Sequence, residues 1–259
     1  MPAALAVPAA GALLVLVLPL AALVVRAPWG SLGELVAAPA VRETLWLSLR
    51  CATAATTLCV LLGVPLAWVL ARADLPGTPL LRTLVTLPLV LPPVVGGVAL
   101  LLLLGRRGLV GQHLDTWFGV TVPFTTLAVV LAETFVALPF LVLSVEGTLR
   151  GTPRGAEEAA AVLGASRWYT VRRVTLPQIR PGIAAGAVLC FARALGEFGA
   201  TVTFAGSFPG TTRTMPLAIS LAMEQDPQTA IALSLVLVAL CATVLVALRG
   251  RWVRAVVPR

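Results

Sequence analysis

The sequence has 259 residues, of which 59% are hydrophobic and only 12% charged, against roughly 25% charged in an ordinary soluble domain. Its apolar residues are gathered in uncharged blocks long enough to cross a bilayer, which excludes a soluble globular enzyme and a disordered chain. The net charge is +8 and all 19 basic residues are Arg. Without a Lys the chain cannot build the phosphate loop of the usual nucleotide site, nor form a Lys Schiff base.

About 20 apolar residues cross a hydrocarbon core of roughly 30 Å, and six blocks qualify. The first, Pro2 to Val25, is closed by Arg26; its opening residues carry no basic charge, so it reads as a span rather than a cleaved secretory signal. The second, Cys51 to Ala71, lies between Arg50 and Arg72 in a helix expected to begin near Leu45. The third, Thr83 to Leu104, holds Pro88, Pro92 and Pro93 followed by Gly96-Gly97. Such a run predicts a bent helix, either lining a pathway or purely structural. The fourth, Phe124 to Val145, contains one acid, Glu133. The fifth, Ile183 to Ala205, contains Arg193 and Glu197, and the sixth, Gln228 to Leu248, is uncharged before Arg249. The fold class expected is an all-α polytopic membrane protein, one domain over residues 1–259 with six spans.

Orientation follows the distribution of Arg. With both termini in the cytoplasm, twelve Arg fall on that side and five outside, although Arg26 argues locally for the opposite sense. The excess positive charge then sets topology and meets lipid phosphate; it is not an anion filter, and no nucleic-acid partner is implied. Cys51, Cys59, Cys190 and Cys241 form no CxxC pair, and His113 sits in a polar loop without Cys or His nearby. No metal site is expected. No catalytic residue is expected either: an intramembrane protease would need a Ser/His or paired-Asp constellation inside the spans.

The longest insert on the cytoplasmic side runs from about Glu146 to Gly182. Thr152-Pro153 suits a helix start, with Glu157 and Glu158 near its positive end. Gly164 is a stop or kink, and Ser166 can cap a second short helix toward Arg173. Leu176-Pro177 and Pro181-Gly182 are expected to end the polar excursion. A short amphipathic helix outside the membrane must press its apolar face on lipid headgroups or on a partner.

Within this insert, Glu158-Ala159-Ala160, three residues, Gly164, nine residues, then Val174-Thr175-Leu176-Pro177 resembles the EAA loop of ABC-importer permeases. That family reads Ile where Val174 stands, a conservative difference. The resemblance implies a type I-like importer permease whose coupling helix docks on a separate ATP-binding subunit. Glu157, Glu158, Ala159, Ala160, Gly164, Val174, Leu176 and Pro177 would then be the coupling residues, with ATP and Mg on that partner and no cofactor in this chain. The segment from Phe191 through Gly196-Glu197-Phe198-Gly199-Ala200-Thr201 and on to Ile219 is similar to the molybdate permease group. Leu70-Ala71-Arg72 with Pro76-Gly77, the Leu87-to-Gly97 run and Gly105-Arg106-Arg107-Gly108 agree with it.

What the resemblance implies is a permease for molybdate, with tungstate fitting the same chemistry, in a bacterial or archaeal cell membrane. Its partners would be a second copy of itself, a pair of ATPase subunits and an extracytoplasmic oxyanion-binding protein. The sulfate and thiosulfate permeases are the alternative, and an ATP-independent channel a more distant one. Arg193 and Glu197 are four apart and can pair on one helix face; either they lock helix packing or they gate or line the path. Glu133, without a partner in its span, has a structural or a transport role. With Thr201 these three are the pathway candidates. Small residues at Gly182, Gly186, Ala192, Gly196 and Ala200 allow close helix contact, within one subunit or across a dimer seam.

Overall fold

A computed structural model of the chain describes residues 3–73 and 76–256, with side chains for 5–73, 76–244 and 246; Pro2, at the start of the first predicted span, and Arg259 lie outside the described residues. The described residues are helical and turn structure without strands. In chain order they form α1 (Ala3–Val25), α2 (Leu32–Ala37), α3 (Pro39–Arg72), α4 (Thr78–Val90), α5 (Pro93–Leu104), α6 (Gly111–Phe118) and α7 (Thr126–Gly151). There follow α8 (Gly155–Val162), α9 (Arg167–Thr170), a π segment (Val171–Thr175), α10 (Leu176–Leu195), α11 (Gly199–Ala205), α12 (Met215–Gln225) and α13 (Pro227–Val256).

Five helices are long and apolar enough to cross a membrane, and the pair α4–α5, bent by 117°, makes a sixth crossing when taken as one span. The bend falls where the prolines predict it. Leu91 and Pro92 are extended, Pro92 caps α5, and Pro93 occupies its first turn, where a missing amide costs nothing.

The core is the packing of α3, α7 and α10. On α3, Cys51, Ala52, Ala55, Cys59, Gly63 and Ala67 recur every three or four residues and are buried, a small-residue stripe that lets α7 approach closely. A Cβ at Gly63 would stand 2.7 Å from Leu141 Cδ2 of α7, and one at Gly186 of α10 would stand 2.8 Å from Leu141 Cδ1. Gly182 is buried too, its carbonyl accepting a 2.9 Å hydrogen bond from Ser144 Oγ. The glycines at 182 and 186 therefore serve packing inside the subunit. The thiols of Cys59 and Cys190 are buried, with Cys190 Sγ donating to the Ala137 carbonyl at 3.0 Å. His113 lies on α6 rather than in a loop, its ring 5.0 Å from that of Trp117.

The fifth span differs from expectation. Pro177 and Pro181 do not end a loop but lie within one helical rod running 29 residues from Arg167 to Leu195. The Leu176 amide bonds five residues back to the Val171 carbonyl, and this π turn accommodates the missing amide of Pro177. The rod then breaks at 196–198, and α11 resumes as a separate short helix. Gly199 abuts Pro93, and Gly97 abuts the Ala200 carbonyl, so any Cβ at either glycine would clash at 2.8 Å. The two interrupted segments, α5 and α11, thus pack on each other.

Candidate functional site

Two places concentrate the candidate residues. The first is the turn between α7 and the long rod. Helix α7 extends to Gly151, so Glu146 is not in a loop. It is buried on α7, accepting from Arg82 Nη2 at 2.7 Å, which fastens α4 to α7, and it forms an ion pair with Arg150 Nε at 3.0 Å. Thr152 ends α7 instead of starting the next helix, and α8 begins at Gly155. Both ends of the 146–182 insert are therefore helical, and residues 152–166 make the turn between α7 and the rod. Gly164 adopts φ +80°, a left-handed conformation that favours glycine, and turns the chain between α8 and the rod. Ser166 caps α9, its Oγ accepting from the Tyr169 amide at 3.2 Å, as its residue type predicts.

Two adjacent acids divide the work. Glu157 faces inward: its Oε1 accepts from Thr175 Oγ1 at 3.0 Å and lies 3.5 Å from Arg72 Nη2. Arg72 also donates to the Thr152 carbonyl at 3.0 Å. One carboxylate thereby ties α8 to the end of α3 and to the π segment. Glu158 and Ala159 are exposed, as is Gly164, while Ala160 is half-buried. Leu176 packs against the main core, and Val174 and Pro177 are half-buried in the rod. The outward face also carries Val162 and Leu163, 87% and 86% exposed, and Tyr169. An apolar Val-Leu pair directly before a turn glycine is the sequence signal for this face. Large exposed apolar patches on a folded chain mark interaction surfaces.

The second place is the break after α10. Arg193 Nη1 and Glu197 Oε2 are 2.6 Å apart, and Glu197 Oε1 accepts the Ala200 amide at 2.8 Å. The pair thus closes the gap between α10 and α11 while satisfying the first turn of α11. Glu197 and Glu133 are each 1% exposed and Thr201 is fully buried, whereas the Arg193 side chain is 28% exposed. Glu133 lies within electrostatic reach of Glu197, and its Oε2, like Thr201 Oγ1, has no hydrogen-bond partner among the described residues. Three of the four pathway candidates are enclosed by their own subunit; only Arg193 reaches its surface.

A chain with five or six membrane-length helices, an interrupted pair among them and an apolar-faced short helix between two spans is a polytopic all-α membrane protein. Residues 60–259 match the family described as binding-protein-dependent transport system inner membrane component, and the chain belongs to that family. It is similar to the molybdenum transport system permease protein ModB of Mycobacterium tuberculosis, 50% identical over 94% of this chain and 92% of that one. The corresponding Escherichia coli K12 protein is 45% identical over 68% and 77%. The E. coli K12 sulfate transport system permease protein CysW is 39% identical over 75% and 66%. Among solved structures, a bacterial ABC transporter importing alginate superposes with a TM-score of 0.71 over 97% of this chain and 93% of that one, at 19% identity. The MetNI methionine transporter gives 0.62 over 84% and 96%, at 20% identity. The fold is that of ABC-importer permeases.

Proposed function

We propose that this chain is the permease of an ATP-driven molybdate importer and is moved by a separate ATPase subunit docking on α8. The observation that carries the coupling reading is the division between Glu157, anchored to Arg72 and Thr175, and the outward face of Glu158, Ala159, Val162, Leu163 and Tyr169. A docking helix needs both: a surface for the partner, and a fixed link to the helices it moves. ATP and Mg belong to the partner, and this chain hydrolyses nothing. A translocation path forms between two copies, both termini face the cytoplasm, and an extracytoplasmic oxyanion-binding protein delivers the anion. A ligand shifts such a transporter between states only through different affinity for each.

The substrate reading rests on the 50% and 45% identity to molybdenum permeases against 39% to the sulfate permease; tungstate shares molybdate's shape and charge. Within the subunit, Arg193 reaches the surface and is the candidate to line or gate the path, while Glu197 bridges the helix break behind it and Glu133 and Thr201 stay enclosed. The test is reconstitution in liposomes with the ATPase and the binding protein. ATP hydrolysis should rise with molybdate or tungstate and not with sulfate. Stimulation by sulfate alone overturns the substrate, and anion uptake without the ATPase overturns the coupling.

A further inference from the structure

The rod that begins at Arg167 has a second flank, turned toward α3. Between the two lies an open groove of about 620 Å³, walled by Val64, Pro65 and Trp68 of α3 and by Trp168, Val171 and Ile179 of the rod, with Thr175 the one polar residue lining it. Most of its length belongs to the two membrane-crossing helices, so a water-borne partner has no access to it and a lipid of the surrounding leaflet does. Trp68 and Trp168 stand on its two walls, and indole rings favour the headgroup boundary of a bilayer.

The one carboxylate bonded to the groove lining, Glu157 on Thr175, is held against Arg72, and the exposed charge along the rod is positive. Arg167, Arg172, Arg173 and Arg180 are exposed along the rod, none has an ion-pair partner among the described residues, and no Asp or Glu occurs from Ser166 to Arg193. Arg172 follows Val171 of the groove wall directly. We propose that this groove binds an anionic phospholipid from the leaflet on the α8 side, one acyl chain between Trp68 and Trp168 and the phosphate between Arg172 and Arg173. The guanidinium groups supply the planar, multi-donor contacts that suit phosphate oxygens. The lipid braces the base of the rod against α3, beside the Arg72–Glu157–Thr175 link.

The experiment is native mass spectrometry of the purified full-length chain in detergent, titrated with phosphatidylglycerol and with phosphatidylcholine of identical acyl chains. Wild type should retain phosphatidylglycerol roughly thirtyfold better, from two cationic side chains at the headgroup. The Arg172→Gln/Arg173→Gln pair should lose that preference and the Arg172→Lys/Arg173→Lys pair should keep it. Dibrominated phosphatidylglycerol should quench wild-type tryptophan fluorescence more than that of a Trp168→Phe variant. Equal retention of the two lipids, or an undiminished preference in the Gln pair, overturns the proposal. So does a Leu61→Cys variant that cross-links quantitatively to a second copy of the chain in membranes, since protein would then fill the groove. None of these readouts depends on which anion is carried or on the ATPase, so failure here leaves the transport reading standing.

Discussion

Replacing Arg193 with Met should destabilise the chain far more than replacing Arg193 and Glu197 together. Glu197 is 1% exposed and its carboxylate has two fixed obligations, the Arg193 guanidinium at 2.6 Å and the Ala200 amide at 2.8 Å. Removing Arg193 leaves a buried charge with only the amide, a loss of about 3–5 kcal/mol. In Arg193→Met/Glu197→Gln the Gln carbonyl still accepts from Ala200 and no charge is stranded, so the cost falls to about 1 kcal/mol. Glu197→Gln alone should lie between them, because the Arg193 side chain, 28% exposed, can turn outward. At roughly 2–4 °C per kcal/mol for a chain of this size, the single Met variant should melt about 10 °C below wild type. The assay is loss of the monodisperse chromatographic peak on heating the detergent-solubilised chain. Equal losses in the single and the double variant would refute the buried-pair reasoning.

Gly164→Ala finds open space for its methyl group but a left-handed φ of +80°. It should cost about 1–2 kcal/mol locally and weaken co-purification with the ATPase subunit, and Gly164→Asp should abolish it while the chain still inserts in the membrane. Glu157→Gln should loosen the 152–166 turn, seen as faster limited proteolysis there. Glu158→Lys, on the exposed face, should leave proteolysis unchanged and reduce anion-stimulated ATP hydrolysis. Asp226, at the start of α13, is held below the usual carboxylate range chiefly by the Thr229 hydroxyl, with the Gln228 and Thr229 amides adding to it. A depressed pKa contributes stability that is present above the ordinary Asp value and disappears as pH falls through the lowered one. Protection from hydrogen exchange in the first turn of α13, relative to the intrinsic rate at each pH, should therefore fall on acidification below about pH 4, and Asp226→Asn should remove that dependence.

Most spans were legible because length and charge alone define them, and so was the turn at Gly164 with its cap at Ser166; the fifth, read over 183–205, is instead the rod Arg167–Leu195. The errors came from local rules that tertiary context overrides. Thr152-Pro153 has the composition of a helix start, yet α7 runs past the bilayer-length apolar stretch and uses Thr152 as its end. Pro177 and Pro181 read as terminators, but a π turn absorbs one and the other sits in the opening turns of α10, so the rod continues. Neighbouring Glu157 and Glu158 could not be told apart in sequence, since their difference depends on Arg72, eighty-five positions earlier in the chain. The pathway candidates show the same limit: spacing predicted the Arg193–Glu197 pair, whereas only the packing of α5, α7 and α11 shows which partner is sealed inside.

The uninterrupted run from Arg167 to Leu195 has a mechanical corollary. At 1.5 Å per residue its 29 residues measure about 43 Å, with one end beside the turn at Gly164 and the other at the Arg193–Glu197 clasp. A tilt of ~10° about its base would sweep the far tip by ~7 Å, wider than one helical turn. No relay of side chains is required for such a displacement: a stiff spoke carries it undiminished from the aqueous face to the depth where the opposing half-helices meet.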